Sequence, residues 1–203
     1  MLGILLMLPV TGFAQEKQVV EVKFVGNDHV SNDAIVTATG LKLGSPYSEA
    51  AVQQIKEAIE SMGYFQPGVT AGVENVDEGV RLVFNVVEYP VVKDIQISGN
   101  TVVPTEKLRS VMFTQIGNVL NMNTLRNKDI TAIEGEYAKL GYFAYVTEES
   151  GIDPDTGVLK IPVAEVKVHS IKLTGNKKTK PYVILREMET KVGDVYNEMK
   201  LAK

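Results

Sequence analysis

The sequence contains no cysteine, which excludes disulfides, zinc thiolates and cysteine nucleophiles together. Histidine is almost as scarce. His29 and His169 lie far apart, so no histidine-rich metal site is expected. Basic runs are short: Lys177, Lys178 and Lys180 make the densest patch, in a chain of formal net charge -4 and pI near 5.3. A mildly acidic protein is a poor match for a phosphate backbone, so nucleic acid is not expected as a partner. No segment offers the roughly 20 apolar residues that a membrane-spanning helix needs. Phosphate-binding loops, the Gly-x-Ser-x-Gly elbow and the dinucleotide fingerprint are all missing. No catalytic residue, metal or cofactor is expected, and the chain reads as a binding protein rather than an enzyme.

What is present is ordinary globular material. The 203 residues are 44% hydrophobic and 23% charged, enough to fill cores and without the signature of disorder. Leu2 to Val10 is a short apolar run. Gly12-Phe13-Ala14 follows, with small residues at the two positions a signal peptidase reads, then polar Gln15-Glu16-Lys17. The pattern predicts a signal peptide over residues 1–14 and export of the rest.

Self-similarity is the main signal. Gly26-Asn27, Gly99-Asn100 and Gly175-Asn176 each follow an alternating apolar strand pattern, spaced by 73 and then 76 residues. A second glycine comes 18 residues after the first in every copy, at Gly44, Gly117 and Gly193, and eight residues later stand Val52, Leu125 and Leu201. Ile35, Leu108 and Ile184 hold a fourth common position, nine residues after the first glycine. The strands Val20-Val22-Phe24, Ile95-Ile97 and Ile171-Leu173 bury one face each. A short helix follows, capped by Ser31 in the first copy and begun near Pro104 or Pro181 in the others, and is expected to break at the second glycine. Ser48 caps a longer helix carrying Val52, Ile55, Ile59 and Met62 at helical spacing; the second copy repeats it with Leu125, Ile130, Ile133, Tyr137 and Leu140.

That helix stops at Gly63-Tyr64-Phe65 and again at Gly141-Tyr142-Phe143, where both aromatics are expected to enter the core. Two strands close each copy: Val69 to Val76 and Val80 to Val87, then about Ala144 to Glu149 and Val158 to Val163. Their connections, Asp77-Glu78-Gly79 and a loop holding Asp153-Pro154-Asp155-Thr156-Gly157, read as hairpin turns. The latter superficially resembles a calcium loop, but its twelfth position is Ala164 rather than a bidentate glutamate. The unit is β-α-α-β-β. The third copy ends at Lys203 inside its second helix, so the expected organisation is units at 15–89 and 90–165, an incomplete unit at 166–203, and a natural chain that continues.

These features resemble the POTRA repeats of BamA-like outer-membrane-protein assembly factors. The resemblance rests on the strand ending in Gly-Asn, on Tyr47, Leu120 and Tyr196 three residues after the second glycine, on the two Gly-Tyr-Phe segments, and on the junction Val86-Val87-Glu88-Tyr89-Pro90. It covers residues 20–203. It implies an α+β fold of tandem units, each a three-stranded mixed sheet packed on two antiparallel helices. It also implies a periplasmic arm at the outer membrane that receives unfolded β-barrel clients and docks assembly lipoproteins, with a C-terminal barrel in the full-length chain. The related arms of TamA-like or two-partner secretion transporters share the pattern. An FtsQ-type division scaffold, with one such domain behind a membrane helix, fits several repeats less well.

One site follows from strand order. If the third strand of a unit pairs with both others, the second strand is an edge with unpaired backbone groups, and such edges bind extended peptides by main-chain pairing. The residues expected there are Val69, Ala71 and Val73 in the first unit and Ala144, Tyr145, Val146 and Thr147 in the second.

Overall fold

In a computed structural model of the protein, residues 17–201 are described; the expected signal peptide lies outside them. The first unit begins with β1 (Val19–Val25), then α1 (Asn32–Thr39), α2 (Glu49–Ser61), β2 (Thr70–Val76) and β3 (Gly79–Asn85). The Ser31 and Ser48 hydroxyls accept from the amides of Ala34 and Ala51, capping both helices as expected. The strand order is β1-β3-β2, with β3 parallel to β1 and antiparallel to β2. Ile35 and Ile59 from the helices meet Val80, Leu82, Phe84 and Phe65 in a fully buried core.

The second unit repeats the plan with β4 (Asp94–Ser98), α3 (Thr105–Ser110), α4 (Met122–Thr124), a π-helical turn (Leu125–Asp129) and α5 (Ile130–Lys139). Its closing strands are β5 (Ala144–Val146), β6 (Gly151–Ile152) and β7 (Val158–Glu165), in the order β4-β7-β5 with β6 also on β7. From cap to terminal glycine, Asn121 to Gly141 exceeds Ser48 to Gly63 by five residues. One extra residue in the π turn plus about one α-helical turn of 3.6 absorbs them, which keeps the apolar face in phase. Asp129, buried in that turn, accepts from the amides of Phe113 and Thr114 and from the Thr114 hydroxyl.

Several expectations need correction. The first helix does not break at Gly44: α1 ends at Thr39 on a left-handed Gly40. Gly44, Gly117 and Gly193 sit four or more residues past their helices at φ 83°, 94° and 94°. Their amides donate to Val19, Val92 and Val168, so the glycine loop folds back on the start of β1 in the first unit, on the residues just before β4 in the second, and on the matching Val168 in the third. Phe65 is buried, but Phe143 is half exposed, and so is Leu140. Phe65 lies opposite Glu88, whereas Ala144 lies opposite the corresponding Glu165. That one-residue slip turns Phe143 onto the outer face, where its ring meets Tyr196 edge-on at 5.4 Å.

The second strand of unit two also ends early. Thr147 donates to the Pro162 carbonyl at 2.9 Å, but proline has no N–H to return the bond. The chain turns over Thr147–Ser150 instead and resumes pairing at β6.

Residues 166–201 add α6 (Pro181–Glu187) and α7 (Glu198–Leu201), while Ile171–Leu173 forms no strand. No partner strand stands beside it among the described residues. None of the buried apolar side chains belongs to 166–200. At about 1.5–3 kcal/mol for each buried aliphatic or aromatic side chain, the first two units have a driving force for folding that this segment lacks.

The units are joined by one device used twice. Gly63, at φ 78°, accepts from Met122 N–H at 2.8 Å, and Met62 accepts from the Asn121 side-chain amide at 2.9 Å. The same Asn121 caps α4, its Oδ1 accepting from Thr124 N–H. At the next joint Asn197 donates to Leu140 and accepts from Lys200, and Gly141, at φ 76°, accepts from Glu198. A Cβ on Gly63 would sit 2.8 Å from Asn121 and Asn123 atoms. Asparagine can cap and donate at once; the equivalent Ser48 only caps. Asn121→Ser is therefore expected to keep the α4 cap, cost each core less than about 1 kcal/mol, and loosen the joint. NMR residual dipolar couplings should then give the two units separate alignment tensors; a single tensor would show that the backbone bonds alone lock the joint.

Candidate functional site

Alternation along β3 decides what β2 exposes. Val80 and Val86 donate to Gln18 and Val25 on the β1 side, so the odd-numbered residues between them turn their backbone groups to β2. Arg81, Val83 and Asn85 lie opposite Glu74, Gly72 and Thr70. Those three are the inward-bonded positions of β2. Ala71, Val73 and Asn75 present their N–H and C=O groups outward, and no acceptor takes those amides among the described residues. Of the expected residues, Ala71 and Val73 thus lie on the open edge. Val69 is buried at its start, and its amide and that of Gly68 donate to Glu60 Oε1 at 3.1 and 2.9 Å.

The edge lies beside α2. Tyr47, Val52, Gln53 and Lys56 face Ala71 and Val73 across a groove of about 210 Å³, with Glu49 at its rim. The small side chains of β2 leave that groove open. On the other sheet face Arg81 donates to Glu21 and Glu74, a cross-strand ion network that keeps the outer surface charged and holds the register of all three strands.

The second unit's edge differs. Val166 donates to Phe143 and Thr147 donates to Pro162, so Phe143, Tyr145 and Thr147 turn inward to β7. Ala144 and Val146 turn outward. The outward Val146 amide is taken: it donates to Glu134 Oε1 on α5 at 3.1 Å. The structure thus places Ala144, Tyr145 and Val146 on one short strand and Thr147 just beyond it, with fewer free groups than the sequence pattern suggests. Glu60 and Glu134 escaped notice in the sequence because a glutamate on a helix reads as a solvated face. Asp153 accepts from Asp155 and Thr156 amides at 3.1 Å, an ordinary side-chain-stabilised turn.

The repeated sheet, the helix pair on one face and the uncovered second strand define a class: tandem β-α-α-β-β modules strung through short hydrogen-bonded joints. A profile of the POTRA family, described as a surface antigen variable number repeat, matches residues 18–89, 90–165 and 166–203. The chain belongs to that family. It is 28% identical over 186 residues to the outer membrane protein assembly factor BamA of Nitratidesulfovibrio vulgaris, covering 86% of this chain and 23% of that protein. It is similar to the N-terminal domain of Omp85 from the cyanobacterium Thermosynechococcus elongatus, at 30% identity and TM-score 0.78 over 93% of this chain and 83% of that one. POTRA1-3 of the periplasmic domain of Omp85 from Anabaena is similar at 25% identity and TM-score 0.67, with the same coverage. The chain spans less than a quarter of the BamA relative's length.

The Glu60 cap makes the start of the edge sensitive to acid. Hydrogen bonds from the Gly68 and Val69 amides hold its carboxyl below the ordinary 4.5. A lowered carboxylate pKa contributes stability that is complete above the unfolded value and is lost as pH falls through the folded one. The Gly68 and Val69 amide shifts should therefore titrate together with a midpoint below 4.5, and Glu60→Gln should flatten both curves. A midpoint at or above 4.5 would contradict the cap.

Proposed function

We propose that the chain is the exported, periplasmic arm of an outer membrane protein assembly factor, and that it holds unfolded β-barrel clients by pairing their backbone with β2. The open edge at Ala71, Val73 and Asn75 carries the proposal. A receptor for many clients must read what all peptides share, and every extended chain offers the same N–H and C=O groups. Barrel strands also alternate apolar and polar side chains, so a paired strand would lay every second side chain into the groove beside α2. The relative named as an assembly factor supports the wider reading. No helix among the described residues is long and apolar enough to cross a membrane.

Docking of assembly lipoproteins, a C-terminal barrel and the organisation into units at 15–89, 90–165 and 166–203 belong to the same proposal. It assigns the arm no catalysis: nucleophile, base and metal play no part in a main-chain clamp. Affinity for a short peptide should be weak, because ordering a flexible chain offsets much of the gain from pairing.

The test is an NMR titration with peptides copied from outer-membrane barrel strands. Shifts should concentrate at Ala71 to Asn75 and along the facing side of α2. Val73→Pro removes one outward donor and leaves the β3 ladder intact, so it should weaken binding several-fold without unfolding the unit. Equal binding by the proline variant, or shifts confined to α1, would show that side-chain surfaces hold the client instead.

A further inference from the structure

Charge is unevenly divided along the chain. Residues 166–203 hold nine Lys and Arg against four Asp and Glu, while residues 1–165 hold 12 against 21. The first two units thus carry -9 and the third segment +5. The densest basic patch lies in the loop after Gly175, and main-chain pairing at β2 gives it no task. Asn176 donates to the Thr179 carbonyl at 3.0 Å, as Asn27 does to Val30 at 2.8 Å and Asn100 to Val103 at 2.9 Å. One hydrogen-bonded loop therefore accepts quite different residues. Lys177 and Lys178 stand where the first unit has Asp28 and His29 and the second has Thr101 and Val102. Tyr182 stands where they have Asp33 and Glu106, the first-turn acids that a helix favours. The fold asks for none of these changes.

The changes make one exposed surface, contiguous in sequence. Lys177, Lys178 and Lys180 are all exposed. Among the described residues of this segment the sole ion pair joins the neighbours Arg186 and Glu187 at 2.8 Å, so the three ammonium groups are free. On α6, Tyr182, Leu185 and Arg186 fall at i, i+3 and i+4 and share one face. That face is open: Tyr182 is 64% and Leu185 38% exposed. We infer that residues 177–186 are a docking surface for a bilayer rich in anionic phospholipid. Free ammonium groups are drawn to a layer of negative headgroups. A tyrosine, with its apolar ring and polar tip, and a neighbouring aliphatic side chain fit the boundary between headgroups and acyl chains. An acidic peptide would satisfy the lysines alone; the ring and Leu185 select a partner that is charged outside and apolar beneath. The inference rests on the proposed place of the arm at an outer membrane and adds its orientation. The basic end faces the bilayer, and the net charge of -9 on the first two units is repelled from it, which keeps β2 in solution and open to clients.

The test is co-sedimentation of the whole chain, without peptide, with vesicles of pure phosphatidylcholine and of equal parts phosphatidylcholine and phosphatidylglycerol. The chain should pellet with the second and not with the first, and added salt should release it, because the attraction is screened over about 10 Å at moderate ionic strength. Lys177→Glu, Lys178→Glu and Lys180→Glu together should weaken partitioning about tenfold or more. Tyr182→Ala should weaken it several-fold and leave the salt dependence unchanged. Lys42→Glu, Lys93→Glu and Arg126→Glu together alter the net charge equally, from exposed positions in the first two units, and should stay close to the parent. Equal losses in the two triple variants would show that net charge and not this surface is read, and would overturn the inference. So would release by soluble glycerol phosphate, which marks a site for a single phosphate group. Failure to pellet with anionic vesicles overturns it too; salt-sensitive self-association in its place would assign the lysines to the acidic units of a second copy. No peptide is present, so the result stands apart from the titration at β2. Vesicle binding without a peptide response sinks the main-chain clamp alone, and the reverse sinks the orientation alone.

Discussion

In each complete unit the last strand carries two ladders at once. β3 sends alternate backbone groups to β1 and to β2, and β7 does the same for β4 and β5. Everything else in the unit follows from that double pairing. The parallel ladder needs a long crossover, which the two helices supply. The helices then cover one face, and the alternating side chains of the last strand, Val80, Leu82 and Phe84 or Leu159, Ile161 and Val163, become the floor of the core. The second strand is left outermost. An exposed strand is thus a consequence of the topology rather than an addition to it.

A carboxylate at or just past the end of the last strand also closes the unit by hydrogen bonds. Glu88 accepts from the amides of His29 and Val30, and Glu165 accepts from those of Thr101 and Val102, the Thr101 hydroxyl and the Tyr137 hydroxyl. Burial raises the Glu165 carboxyl, but the bonds from Thr101, Val102 and Tyr137 outweigh it, and the net shift is downward. These carboxylates tie the end of the central strand to the loop that follows the first. The side chains of Asn27 and Asn100 in the same loop donate to Asn32 and Thr105 at the start of the following helix, so strand end, loop and helix are fastened together.

Two units on one plan nevertheless differ. The second unit takes five more residues in its long helix and accommodates them with a π turn, so Asp129 is available to hold the Phe113 loop. It slips one residue where the helix meets its edge strand, and Phe143 leaves the core as Ala144 enters. Tyr137 fills the space, its hydroxyl on Glu165. Pro162 then cuts the edge ladder short. None of these changes touches the joints, where Asn121 and Asn197 bond the preceding helix end in the same way. The arm keeps its geometry while its edges diverge.

The repeat, the β-α-α-β-β order, the serine caps and the identity of the second strand as an edge were all legible in the sequence. Each depends on local pattern: a period of two or 3.6, a hydroxyl before a helix, glycine at fixed intervals. Even the π turn left a trace in the five-residue step from Leu125 to Ile130. The rest depended on what lies opposite what. Gly44 looked like a helix breaker because glycine's tolerance of positive φ serves breaks and loops alike; only the bond to Val19 shows which. Phe143 shared its Gly-Tyr-Phe context with Phe65, and a register slip set by β7 separated them. Whether Glu60 and Glu134 were surface charges or caps on strand amides could not be read along the chain, because an outward N–H exists only once two strands have paired.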